Sequence, residues 1–325
     1  MARLASLSRL IIAFAVLLGL GACTVLFFQP MRKHVNDPAA FGFTYRDIDF
    51  NAADGTRLHG WYFPAEGELV GSVLFLHGNA ENISTHFANV AWLAKSGFAV
   101  FAFDYRGYGR SSGSPDLDGL HLDVAAALDT LMALPETDPD RIVVLGQSLG
   151  GALALTAMAE NPQKVRLRAV IVEGAFSGYP EIVREKLASF WLTWPLQGPL
   201  SLTIDGRYRP IDSAAALAPV PLLIIQGEDD VIIPPHHAEI LFEAAGEPKT
   251  LWLLPGTGHI QAFATVGTRR RLVAFLQTLM ADPRPVACTT RTADRNTPPR
   301  STATVCSRPS SSARWDGAAI RTIMQ

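Results

Sequence analysis

The sequence predicts an α/β protein with a mostly parallel central sheet, helices on both faces and a small inserted cap. Three observations carry this expectation. Strand-like runs at Phe43–Phe50, Leu58–Phe63, Ser72–Leu76, Ala99–Phe103, Ile142–Leu145, Ala169–Glu173, Pro221–Gln226 and Thr250–Leu254 are interleaved with helical patterns at Asn82–Lys95, Leu117–Leu134, Leu149–Glu160, His236–Ala245 and Thr268–Met280. Such alternation builds a parallel sheet covered on both faces. Runs such as Ile142–Leu145 are unbroken aliphatic stretches, as strands buried on both sides require. Hydrophobic residues make up 48% of the 325, against 18% charged, which suits a folded enzyme carrying an apolar addition.

From the N-terminus, Arg3 and Arg9 precede the apolar segment Leu10–Ala22, the layout of a secretory signal. Cys23 follows Leu20-Gly21-Ala22 and resembles the lipidation site of a bacterial lipobox. Two other readings stand beside it: a spanning helix extended through "TVLFF" to Phe28, and a plain cleaved signal. Residues 1–22 are therefore expected to be a signal peptide or membrane anchor, 23–42 a linker, and 43–281 the folded domain. The first two strands have no helix between them and form a hairpin closed by Asp54-Gly55. After Ala281 the chain turns to Arg, Thr, Ser and Pro with no apolar period, so 282–325 is expected to be disordered. The three cysteines, Cys23, Cys288 and Cys306, all lie outside Phe41–Met280, so the domain depends on no disulfide or thiol. A net charge of −2 offers no broad footprint for nucleic acid.

The stretch "VVLGQSLGGALAL" sets Ser148 between Gly146 and Gly150. The pattern alone arises by chance roughly once in ten chains of this length. Its setting adds weight: a buried strand ends at Leu145 and an alanine- and leucine-rich helix starts at Leu149. A serine on so sharp a turn is lifted above the sheet edge, and its neighbours must lack a Cβ for strand, turn and helix to meet.

A serine hydroxyl needs a base, and the base needs an orienting group. Of eight histidines, His34, His59, His86 and His121 fit surface or packing roles, and His236 and His237 open a helix close to the acidic cluster. His259 lies in the glycine-rich loop "LLPGTGHIQAF" after the last strand, where an imidazole can swing over the sheet edge. "PLLIIQGEDDVIIPP" offers Glu228, Asp229 and Asp230 as the acid, of which one can face His259. The order serine, acid, histidine is that of the strand–elbow–helix hydrolases.

On "LFLHGNAEN", "FDYRGYGRSSGSP", "GQSLGG", "GEDDVIIPP" and "GTGH", the segment from about Phe43 to Met280 resembles the α/β-hydrolase superfamily, and looks most like its membrane-associated serine hydrolases. The resemblance implies the α/β-hydrolase fold and a Ser148–Asp230–His259 triad, Asp230 being three positions after the strand-end glycine. It also implies an oxyanion hole from the backbone N–H groups of Asn79 and Leu149. Donors of that kind typically contribute about 3 to 4 kcal/mol each to the transition state. His77 and Asp104 fit structural roles, each fixing the loop after its strand. "RGYGRSSG" lacks the lysine and spacing of a phosphate-binding loop, and no metal cluster or dinucleotide fingerprint is present, so no metal or cofactor is expected. The aromatic-rich segment 176–217 is the expected cap, its rings either binding acyl groups or packing the insertion on the sheet. The expected function is a membrane-tethered serine hydrolase of small-molecule carboxylic esters or lipid-like acyl substrates, an amidase or peptidase and a non-catalytic binding module being the alternatives.

Overall fold

The structure, a computed structural model, describes residues 27–189, 192–202 and 206–281. Its centre is an eight-stranded sheet. In chain order the strands are β1 (Arg46–Asn51), β2 (Arg57–Phe63), β3 (Gly71–Leu76), β4 (Phe98–Asp104), β5 (Ile142–Gln147), β6 (Leu167–Glu173), β7 (Leu222–Gly227) and β8 (Lys249–Leu254). Across the sheet they run β8-β7-β6-β5-β3-β4-β2-β1. β2 pairs antiparallel with β1 and β4, and every other pairing is parallel. All eight expected strands are present with ends shifted by a few residues, and Asp54-Gly55 closes the hairpin with Gly55 at φ +83°.

The longer helices are α1 (Leu117–Ala133), α2 (Leu149–Glu160), α3 (Tyr179–Ala188), α4 (His236–Ala244) and α5 (Val266–Ala281). Alternation along the strands divides the core between the two faces. Ile142 and Val144 of β5 join the cluster that includes Leu120 and Val124 of α1 and Leu153 and Leu155 of α2. Val143 and Leu145 join Leu272 and Leu276 of α5 on the other face. The helix expected over Asn82–Lys95 is instead a single turn, Ile83–His86, followed by two short 3-10 segments, Phe87–Asn89 and Ala91–Ser96. Ile83, Phe87, Val90, Ala91 and Leu93 are all buried and only Ala88 and Lys95 of the segment are exposed, so it is wedged into the core with little solvent face, and its aromatic and β-branched residues favour helix weakly.

The segment assigned as a linker, 23–42, is corrected over its described part: from Phe27 onward it is strapped across the carboxyl edge of the sheet. Phe28 is buried against the core, and Gln29–Pro30 pairs with Ala80–Glu81. Asn82 Nδ2 donates to the carbonyls of Met31 and Lys33, and Arg32 donates to the carbonyls of Ser111 and Gly113. His34 Nε2 meets Asp104 Oδ2 at 2.7 Å. Asp104 also accepts from the N–H groups of Ile83 and Arg110, so it fixes strap and loops together. Burial opposes its charge, but His34 and His59 outweigh this and hold it well below the usual carboxylate range. The signal or anchor at 1–22, Cys23 and the tail at 282–325 lie outside the described residues. Among the described residues no helix is long and apolar enough to cross a membrane.

β5 and α2 meet β3 backbone to backbone. A Cβ on Gly146 would overlap the Gly150 carbonyl, and one on Gly150 would overlap the carbonyls of Leu76 and His77. Alanine in place of glycine ordinarily strengthens a helix by about 1 kcal/mol. Here Gly150→Ala is expected to destabilise the protein by at least about 2 kcal/mol through overpacking; urea unfolding checks the sign.

Candidate active site

Ser148 sits at the tip of the turn from β5 into α2 with φ +54° and ψ −115°. Such a backbone costs a non-glycine residue about 1 to 3 kcal/mol and persists only where its surroundings hold it. Here the Ser148 N–H donates to the Glu173 carbonyl at the end of β6 (2.8 Å), and the Ser148 carbonyl accepts from the Ala152 N–H (3.1 Å). The next residue, Leu149, opens α2, so its N–H has no partner inside the helix. Gly78-Asn79 passes over the same spot, and Asn79 and Leu149 both line the cavity there.

His259 Nδ1 lies 2.7 Å from Asp230 Oδ2. Asp230 is the acid that reaches His259; Glu228 and Asp229 are exposed. Its Oδ1 accepts from the N–H groups of Ile232 and Ile233 at 2.8 Å each, and its Oδ2 also accepts from Gln226 Nε2 at 3.2 Å. Burial pushes this carboxyl up, but the bond to His259 and the two backbone donors push it further down, leaving it below the usual carboxylate range. An ionised Asp230 selects the tautomer with the proton on Nδ1, which leaves Nε2 free to take a proton.

Ser148, His259, Asn79 and Leu149 share the wall of a cavity of about 580 Å³. Its other walls are largely apolar: Phe176, Ile182 and Leu187 from the cap side, Ile232 and Ile233 from the loop after β7, and Phe27 from the strap. The expected cap aromatics divide. Phe176 and Tyr179 are buried and meet Phe27 edge to face, whereas Trp194 is 60% exposed; Phe190 and Trp191 lie outside the described residues.

Three features escaped the sequence reading. Phe27 and Gln29 line the cavity, although the run "TVLFF" read only as part of an anchor. The Asn79 side chain donates to the Phe27 carbonyl (2.6 Å) and accepts from the Gln29 N–H (3.3 Å) and the Tyr108 hydroxyl (3.0 Å), so it fastens the strap to the Gly78-Asn79 turn. Glu173, at the carboxyl end of β6, is buried behind the site with both carboxylate oxygens engaged. An acidic residue closing an otherwise aliphatic strand was the available signal, because such sheets place their chemistry at strand carboxyl ends.

Two groups of histidine and acidic residues gather outside the cavity: His34, His59 and Asp104, and Glu185, His236 and His237. Each is tied together by hydrogen bonds, although the Nδ1 atoms of His34 and His59 are buried with no hydrogen-bond partner among the described residues. His59 Nε2 meets Asp47 at 2.7 Å, and His237 Nδ1 accepts from the Ser177 N–H at 3.2 Å. That acceptor role puts the neutral His237 proton on Nε2, facing Glu185, where a metal would need a lone pair. His77 is fully enclosed, and burial drops it to about 3, so it stays neutral and packs.

A serine on a strained elbow, an acid-held histidine and an open cavity at the carboxyl edge of a parallel sheet define a hydrolase site of the elbow type. Comparison with known proteins agrees. Residues 67–210 match the family model described as serine aminopeptidase, S33. The uncharacterized protein YfhR of Escherichia coli K12 is 35% identical over 259 residues, covering 78% of this chain and 86% of YfhR. The alpha/beta hydrolase domain-containing protein WAV2 of Arabidopsis thaliana is 33% identical, covering 71% and 77% of the two chains. An esterase of Pyrococcus furiosus superposes with a TM-score of 0.63 at 22% identity, covering 78% of this chain and 98% of the esterase. The chain belongs to the α/β-hydrolase family.

Proposed function

We propose that this hydrolase is a serine esterase that cleaves carboxylic esters of apolar acyl groups through an acyl-enzyme. The observation that carries the reading is that Ser148 and the Asp230-held His259 open into one apolar cavity. Ser148 Oγ attacks the ester carbonyl while His259 Nε2 takes its proton. The N–H groups of Asn79 and Leu149 stabilise the oxyanion. His259 then gives the proton to the departing alkoxide, and water, activated by the same imidazole, releases the acid and restores Ser148. Esterases among the similar structures, including an acetyl xylan esterase from Thermoanaerobacterium, support ester cleavage on this fold.

The matched family description raises an aminopeptidase as the second reading. Such an enzyme needs an acceptor for the substrate's ammonium group. Among the described residues that line the cavity none is acidic, and the one lysine or arginine is Lys186, a cation. Esters therefore fit better than aminoacyl amides.

For location, we propose a lipid tether at Cys23. Phe27 stands in the cavity wall only four residues later, so a tether there holds the site within about 14 Å of the membrane. A single acyl chain anchors only marginally, so durable attachment calls for more than one chain, as on bacterial lipoproteins.

On 4-nitrophenyl esters of graded acyl length, kcat/KM is expected to rise from acetate to medium chains, with aminoacyl 4-nitroanilides turned over far more slowly. Asp230→Asn should lower kcat by about ten-thousandfold, as loss of the orienting acid does in an unrelated triad. Asp229→Asn should cost little. A preference for the anilides, or the reverse ranking of the two aspartates, contradicts the assignment. For the tether, mass spectrometry of the mature N-terminus should find a lipidated Cys23 in the wild type and an unprocessed precursor in Cys23→Ser. Intact Met1 or Ala2 on wild-type chain that fractionates with membranes would refute lipidation.

A further inference from the structure

We infer that Glu173 is a positioning residue of the site, a second carboxylate that ties the His259 loop to the nucleophile elbow. The inference rests on the roles proposed for Ser148 and His259 and goes beyond them. Glu173 closes β6 and is 2% exposed. Its Oε1 accepts from the backbone N–H of Ala262, three residues after His259, at 2.7 Å. Its Oε2 accepts from Nε2 of Gln147, the residue before Ser148, at 2.6 Å. Its backbone carbonyl holds the Ser148 N–H at 2.8 Å. One buried residue thus grips both sides of the proton-transfer pair.

Gln147 is fixed in turn, because its Oε1 accepts from Asn89 Nδ2 at 2.8 Å, so its amide must present the NH₂ side to Glu173. Both Glu173 oxygens therefore act as acceptors, the role of a carboxylate. Burial outweighs the Gln147 and Ala262 donors and holds its carboxyl above the usual range. The titratable groups that face it are His259, from the loop after β8, and Asp230, from the loop after β7. His86 in turn faces His259 from the single-turn helix. An imidazolium formed at His259 thus has two neighbouring carboxylates, and they differ in purpose: Asp230 bonds the ring, whereas Glu173 bonds the loop that carries it.

Glutamine at position 173 offers one acceptor to two donors and no charge, so one tie breaks. In Glu173→Gln, kcat on 4-nitrophenyl butyrate is expected to fall about 10- to 100-fold, the scale of a small misplacement of reacting groups, with KM within threefold of wild type. The acidic limb of kcat/KM should move to lower pH, because the imidazolium loses one neighbouring anion. Glu173→Asp keeps the charge but shortens the reach; it should lose rate while its acidic limb stays in place. A purely structural residue would not separate the two variants in this way. Amide exchange at Ala262, read in the resting full-length protein, should quicken about tenfold in Glu173→Leu, which removes the acceptor. Wild-type kcat and pH profile in Glu173→Gln, or equal acidic limbs in all three proteins with unchanged Ala262 exchange, overturn the inference. Should Glu173→Gln not fold, wild-type kcat in Glu173→Asp does the same. A wild-type chain that cleaves no ester instead defeats the esterase reading, and the exchange measurement still decides whether Glu173 holds the loop.

Discussion

Everything in the site depends on the contact between the backbones of β3, β5 and α2. Gly146 and Gly150 let the helix descend onto the sheet until carbonyl and Cα atoms touch. That approach forces Ser148 to φ +54°, where its N–H is held by the Glu173 carbonyl. It also brings the first N–H of α2 beside the turn at Gly78-Asn79. The strain at Ser148 is local, and the buried helix around it supplies the restraint: every residue of α2 from Leu149 to Ala159 is buried. The places of Ser148 and of the first N–H of α2, and the tie to Glu173, are consequences of one packing constraint.

The N-terminal strap gives that site its boundary. Its polar groups are taken up by Asn79, Asn82, Ser84 and Asp104, while Phe27 and Phe28 bury against the cap side and each other. A segment that leads from the apolar N-terminus thereby becomes a wall of the cavity. On the opposite side Lys186 of α3 donates to the Val231 carbonyl, joining the cap to the loop that carries the acid. Val231 and Ile232 of that loop are exposed apolar residues.

The strands and the elbow were legible because their signals are local. Aliphatic runs such as Ile142–Leu145 announce buried strands, and the glycines around Ser148 mark a close approach that only glycine permits. The histidine and acid were legible from their place after strands, and the choice of Asp230 came from resemblance, since three adjacent acids cannot be told apart by composition. The strap was not legible. Its ties reach 48 to 81 residues along the chain, as in Asn36 to Ser84 and Arg32 to Gly113, and no periodicity reports such pairings. Asn82–Lys95 misled for a related reason: burial of nearly all of its apolar residues overrode its helical spacing. Glu173 was read as a strand end, because what it holds is set by tertiary contact alone.

Peptide mapping by mass spectrometry after reaction of the full chain with a fluorophosphonate tests the central claim most directly. The account predicts a single phosphonylated peptide, modified on Ser148, that disappears when the protein is unfolded before labelling. Modification at another serine, or an unmodified Ser148 in folded protein, would contradict it.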